Sequence, residues 1–155
     1  MKGTMMTLLD IQDTLNGLIG VGKDAEAAFI YCARRARSFA LHMLFQRRAD
    51  DARRSAQTMQ QQLSQHGGLP REAGTAAGDL RLSWLAVRCA MSANPDGVLV
   101  EFCERSDACA QLHFEGLLRQ PLPEAIRAMV ALQLETIRDD APRIHALRDR
   151  LRYRE

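Results

Sequence analysis

The chain has 155 residues, of which 46% are hydrophobic and 26% charged, and a formal net charge of +2. That length fits one domain with a proper core, and that balance is the one of an ordinary soluble protein. It excludes a membrane-spanning chain, because no apolar run approaches the roughly 18–20 residues a span needs, and +2 is too small a charge to argue for a nucleic-acid partner.

The first helix is expected over about residues 7–35. Its apolar positions step by three and four through Leu8, Ile11, Leu15, Leu18, Gly22, Ala25, Phe29 and Cys32. Gly17, Gly20 and Gly22 weaken it locally but let a neighbouring helix come close. Ser38 is placed to cap a second helix, 38–66, with Leu41, Phe45, Arg48, Ala52, Met59 and Leu63 on one face. Gly67-Gly68 followed by Pro70 stops it. After a loop from Leu69 to Thr75, a shorter helix spans 76–91, with Leu80, Trp84 and Val87 on one face and Trp84 expected to pack it inward. Asn94-Pro95-Asp96-Gly97 reads as a turn. A helix over 98–118 follows, then a break at Pro121 and Pro123, then a last helix over 123–152. That helix turns Ile126, Val130, Ile137, Ile144 and Leu151 inward and should kink at Pro142.

No stretch alternates like a strand, so the fold class is all-α. The short connections make two antiparallel hairpins, and the helix of about 16 residues between them spans roughly 24 Å. The expected architecture is therefore a ferritin-like four-helix bundle with a long crossover holding a short extra helix, as one domain over 1–155. A five-helix up-and-down bundle is the alternative.

Two acids stand out on these stripes. Glu26 interrupts Leu15, Ile19, Gly22 and Phe29; Asp107 interrupts Val100, Cys103, Ala110, Phe114 and Leu117. A charge in a core costs several kcal/mol unless it is paired or holds a metal. Hairpin geometry sets Glu26 opposite about Arg48, Asp107 opposite about Glu135, and Glu104 opposite about Arg138, with Asp51 close by. Ferritin-like di-iron proteins put carboxylates in such a layer, with Glu-x-x-His on two of the helices. This chain has no Glu-x-x-His. It has Asp51-Ala52-Arg53-Arg54 and Glu135-Thr136-Ile137-Arg138 instead. A guanidinium cannot ligate a metal, but it satisfies a carboxylate bidentately. Glu101, Glu104 and Asp107 share one side of a helix, and Glu101 is read as solvated.

The remaining chemistry-bearing residues are quieter. Cys32, Cys89, Cys103 and Cys109 form no CxxC pair and are expected to be buried, reduced thiols. His42, His66, His113 and His145 lack partner spacings and read as surface or boundary residues, His113 being the one beside an apolar stripe. Arginines cluster at Arg34, Arg35, Arg37, Arg47, Arg48, Arg53 and Arg54, but Asp50 and Asp51 dilute them, and no aromatics stand ready to stack on bases. No nucleophile motif or phosphate loop is present. The start, Met1 to Met6, lacks a signal-peptide pattern, so the expected location is cytoplasmic.

Several segments together resemble a family of small bacterial ferritin-like four-helix-bundle proteins of unknown function. They are Leu15-Asn16-Gly17-Leu18-Ile19, Lys23-Asp24-Ala25-Glu26-Ala27-Ala28-Phe29, Leu44-Phe45-Gln46-Arg47-Arg48-Ala49, the Gly67-Gly68 stop, Gly74-Thr75-Ala76-Ala77-Gly78 with Trp84, Cys103-Glu104-Arg105-Ser106-Asp107, and Ala146-Leu147-Arg148-Asp149. The resemblance runs from Leu15 to about Asp149. It implies the ferritin-like fold and a link to stress responses, and no known reaction. Relatives tend to have Gly at Ala25 and Ser106, Glu at Asp107, and a histidine near Ala141-Pro142, so an inherited metal site would here have lost a ligand. Two readings follow. In the first, Glu26, Glu104, Asp107 and Glu135 are the remains of a metal centre held by Arg48 and Arg138, no cofactor is bound, and the protein is a structural or interaction module, expected as a homodimer. In the second, the same acids, with Asp51, bind iron or manganese and support oxidative chemistry. The arginines favour the first.

Overall fold

The computed structural model describes residues 6–152. Residues 1–5, within the stretch read for a leader, and residues 153–155 lie outside the described part. Five helices and no strand are found among the described residues: α1 (Leu8–Arg35), α2 (Phe39–Gln65), α3 (Ala76–Ala90), α4 (Pro95–Leu118) and α5 (Glu124–Arg152). No helix among them is long and apolar enough to cross a membrane. The chain divides into two compact units, Thr7–Asp96 and a second built on residues 97–152.

Local chemistry fixes the helix ends. Thr7 and Asp10 form a reciprocal capping box, with the Asp10 amide donating to Thr7 Oγ1 at 3.1 Å and the Thr7 amide to Asp10 Oδ2 at 3.3 Å. Ser38 caps α2 through the Leu41 amide. At the other end of α2, Gly67 takes φ +78. The Gly68 amide then reaches Leu63 O and the Gly67 amide reaches Ser64 O. Those two bonds are a Schellman motif, and only glycine adopts its φ without strain. The Asn94–Gly97 turn is not what forms. α4 starts at Pro95, because a proline at the first helical position has its φ preset and gives up an amide that would be unpaired anyway.

In the first unit α1 and α2 form a hairpin. Leu15, Leu18, Ile19, Phe29 and Cys32 pack with Leu41, Leu44, Phe45, Met59 and Leu63, all buried. Gly22 makes the close approach expected of the glycines: a Cβ there would sit 3.3 Å from the Ala56 Cβ. The short helix α3 meets α1 and buries Leu85 and Cys89. Against expectation, Leu80, Trp84 and Val87 do not pack inward: all three are exposed, and α3 is buried through its other face. In the second unit, α4 and α5 are antiparallel. Arg127 closes their turn by donating to the carbonyls of Leu118 and Gln120 at 2.7 and 2.6 Å. The helix α5 continues through Pro142.

Candidate functional site

Glu26 is half-buried on α1, and its Oε1 lies 3.7 Å from Lys23 Nζ, one turn earlier on the same helix. Arg48 is buried on α2, and its guanidinium carbon lies 4.8 Å from the centroid of Phe29. Phe29 in turn stacks on Phe45 with centroids 6.2 Å apart. A guanidinium over an aromatic face is attracted by the ring quadrupole, more strongly where water is excluded. The core therefore holds Arg48 in part through its aromatics, which the expectation of a carboxylate partner did not anticipate.

In the second unit the register of α4 on α5 differs from the expected one. Glu104 Oε2 meets Arg148 Nη1 at 2.9 Å and His145 Nδ1 at 2.8 Å. Those partners lie about two to three turns further along α5 than Arg138. Arg138 instead meets Glu115 Oε1 at 3.3 Å. Gln111, first, and then Arg138 stabilise the charged form of Glu115 and hold its pKa below the usual range. Glu135 is exposed. Asp107 is buried, with the Cys103 thiol 3.8 Å from its Oδ2. Asp140, which no pattern flagged, is the most deeply buried acid at 1% exposure, with Arg143 Nη1 3.8 Å from its Oδ1. Asp51 pairs along α2 with Arg54 at 2.7 Å and Arg47 at 3.8 Å. No three His, Cys, Asp or Glu side chains gather as a metal-binding group among the described residues.

The most completely built polar arrangement is elsewhere. Gln12, Asn16, Gly20 and Asp24 repeat every four residues along one face of α1, and each holds part of the segment that follows α2. Gln12 Nε2 donates to His66 O at 2.9 Å. Asn16 Oδ1 accepts from the Arg71 amide at 3.0 Å, and its Nδ2 donates to Leu69 O at 3.4 Å. A Cβ at Gly20 would meet Thr75 Cγ2 at 3.1 Å, so this rung is a close contact rather than a bond. Asp24 ends the ladder, with Oδ1 accepting from the Thr75 amide at 2.7 Å and Oδ2 from the Thr75 hydroxyl at 2.6 Å. The same hydroxyl caps α3 by accepting from the Gly78 amide at 3.0 Å. Gly74 and Gly78 are glycines because a Cβ at either would land on Asp24. The carboxylate also stands at the positive end of α3. The four-residue spacing of Gln12, Asn16 and Asp24, with a glycine at the remaining position, was the available signal for this ladder.

A second carboxylate does the same work at the α1–α2 turn. Asp96 is 5% exposed, and its two oxygens accept from the amides of Arg37 and Ser38 at 2.8 and 2.9 Å. Nearby, Cys32 and Cys89 are buried. Burial, then the neighbouring Cys89, pushes the Cys32 thiol up to about 12, and burial raises Cys89 as well. Cys103 is also buried, but Cys109 is exposed, against the expectation of four buried thiols.

These elements define an all-helical protein in which acids serve chiefly as acceptors for backbone amides and cationic side chains. Residues 10–120 match the family defined as a domain of unknown function, DUF2383, and the chain belongs to that family. No curated protein matches it.

Proposed function

We propose that the chain is a ferritin-like helical protein whose carboxylate centre is degenerate and that works as an interaction module, with a link to stress responses. The observation that carries this reading is the engagement of Glu104: one carboxylate oxygen already accepts from Arg148 Nη1 and faces His145 Nδ1. A metal there would have to displace a guanidinium whose charge repels it. Glu26 has the Lys23 ammonium beside it, and Glu135 stands in solvent. The donor set therefore does not fit an iron or manganese centre.

The test is metal analysis of protein purified without chelator, beside the Glu26→Ala and Glu104→Ala variants. Sub-stoichiometric iron, manganese and zinc in all three is the expected result. One equivalent of metal in the wild type, lost in either variant, overturns the reading.

A further inference from the structure

The exposed side of α3 carries a continuous apolar stripe. Leu80 is 65% exposed, Trp84 63%, Val87 44% and Met91 83%. Their spacing of four, three and four is that of the seam of a two-helix coiled coil, about 16 Å long. The helix is fastened from its other side by Leu85 and Cys89 and at its start by Thr75 and Asp24. The stripe is thus exposed along a helix whose opposite face and first turn are fixed. Apolar patches rimmed by charge mark interaction sites more often than scattered apolar residues do.

The rim is one-sided. Arg81 and Arg88, both exposed, flank the stripe about two turns apart on the same edge, while the other edge offers Ala76, Ser83 and Ala90. Arg81 reaches Asp24 only at 3.9 Å. The sole acid of α3, Asp79, lies in its first turn. Two copies of the chain could set Leu80 against Met91 and Trp84 against Val87 in an antiparallel pair, but the same pairing sets Arg81 of one copy against Arg88 of the other. Like charges at those positions oppose association. A seam of this length also falls short of the ~800 Å² per partner of a stable dimer.

We infer that the Leu80–Trp84–Val87–Met91 face of α3 docks an acidic amphipathic helix of a partner protein, with apolar residues on the seam and Asp or Glu facing Arg81 and Arg88. The inference deepens the interaction-module reading and rests on it. The metal measurement and the binding measurement are independent, so either can fail alone.

Trp84 is the only tryptophan in the chain, which makes its emission a reporter of the site. The full chain is titrated with synthetic helical peptides that share one leucine seam and differ in carrying Glu or Lys beside it. The Glu peptide should shift the emission to the blue and saturate, binding about tenfold more tightly than the Lys peptide at low salt. The Arg81→Gln, Arg88→Gln double variant should abolish that preference, with helical circular dichroism measured alongside to show that α3 stays folded; a preference that survives in the folded variant overturns the charge assignment. A Glu peptide with serines in the seam should leave the emission unmoved. The proposal is overturned by no shift with the Glu peptide, by equal binding of the two charge forms, or by a blue shift that grows with protein concentration alone, which would assign the face to a second copy.

Discussion

Replacing Asp96 with alanine removes two hydrogen bonds at once and leaves the amides of Arg37 and Ser38 without their acceptor at a part-buried turn. A hydrogen bond to a charged group contributes about 1.5–3 kcal/mol, and an orphaned buried donor costs about 1–3 kcal/mol. The loss is offset by no longer burying a carboxylate that is 5% exposed. The net expectation is about 3–4 kcal/mol, from a total on the order of 10 kcal/mol for a chain of this size. That corresponds to a fall in Tm of about 10 °C. Asp96→Asn keeps one acceptor oxygen and should lose about half as much. Urea unfolding followed by circular dichroism measures the energies, with Asp13→Ala as the exposed-acid control, expected within about 0.5 kcal/mol of wild type. Amide exchange locates the effect, since the Arg37 and Ser38 amides should exchange faster in Asp96→Ala. An Asp96→Ala variant as stable as the control, or unchanged exchange at those two amides, refutes the reasoning.

Two further outcomes follow from the same geometry. Gly→Ala inside a helix ordinarily stabilises by about 0.5–1 kcal/mol, but at Gly78 the added Cβ falls on Asp24. Gly78→Ala should therefore destabilise by about 2 kcal/mol in the wild type and turn neutral or stabilising in an Asp24→Ala background, and simple additivity in that double-mutant cycle would refute the clamp. The thiols should divide into one that reacts with a disulfide reagent at once, Cys109, and three that react only on unfolding, Cys32, Cys89 and Cys103. Because the Cys32 pKa is raised from 9.0 to about 12 in the folded state, the unfolded chain loses that proton first. Stability should hold below about pH 9 and fall as pH rises toward 12. More than one fast thiol, or an unfolding midpoint flat from pH 9 to 11, contradicts this.

What the sequence shows plainly is what short-range chemistry decides. The capping residues, the Gly67-Gly68 stop and the three-four spacing of apolar positions locate the helix ends to within a residue or so, except where Pro95 begins α4 early. Registers and faces depend on contacts between distant residues and are hidden. Arg127 grips the carbonyls of Leu118 and Gln120, and the register beyond that turn carries Glu104 past Arg138 to His145 and Arg148. No local pattern encodes that offset. On α3 the sequence offers two apolar stripes, Leu80-Trp84-Val87-Met91 and Leu82-Leu85-Cys89. The larger one looks more like a core, yet Leu85 and Cys89 of the smaller one are buried, because Asp24 and Thr75 orient the helix through its first turn. The acids mislead for a related reason. A charge on an apolar stripe says that something must satisfy it, not what does.

Asp24 and Asp96 both satisfy backbone amides at chain turns, and neither interrupts an apolar stripe. An acid that accepts from two donors fixed in one loop has its geometry set by main chain, which tolerates no substitution by rotamer change. Glu104, held by the side chains of Arg148 and His145 rather than by main chain, can be accommodated in more ways. The family-matched stretch of residues 10–120 contains every rung of the α1 ladder, the whole segment it fastens and the Asp96 clasp. It stops short of α5, and so short of His145 and Arg148, the partners of Glu104. The motifs Leu15-Asn16-Gly17, Lys23-Asp24-Ala25 and Gly74-Thr75-Ala76-Ala77-Gly78 are then best understood as one device. They fasten the crossover to α1 and set which face of α3 looks outward, and that outward face is where the stripe with Trp84 stands.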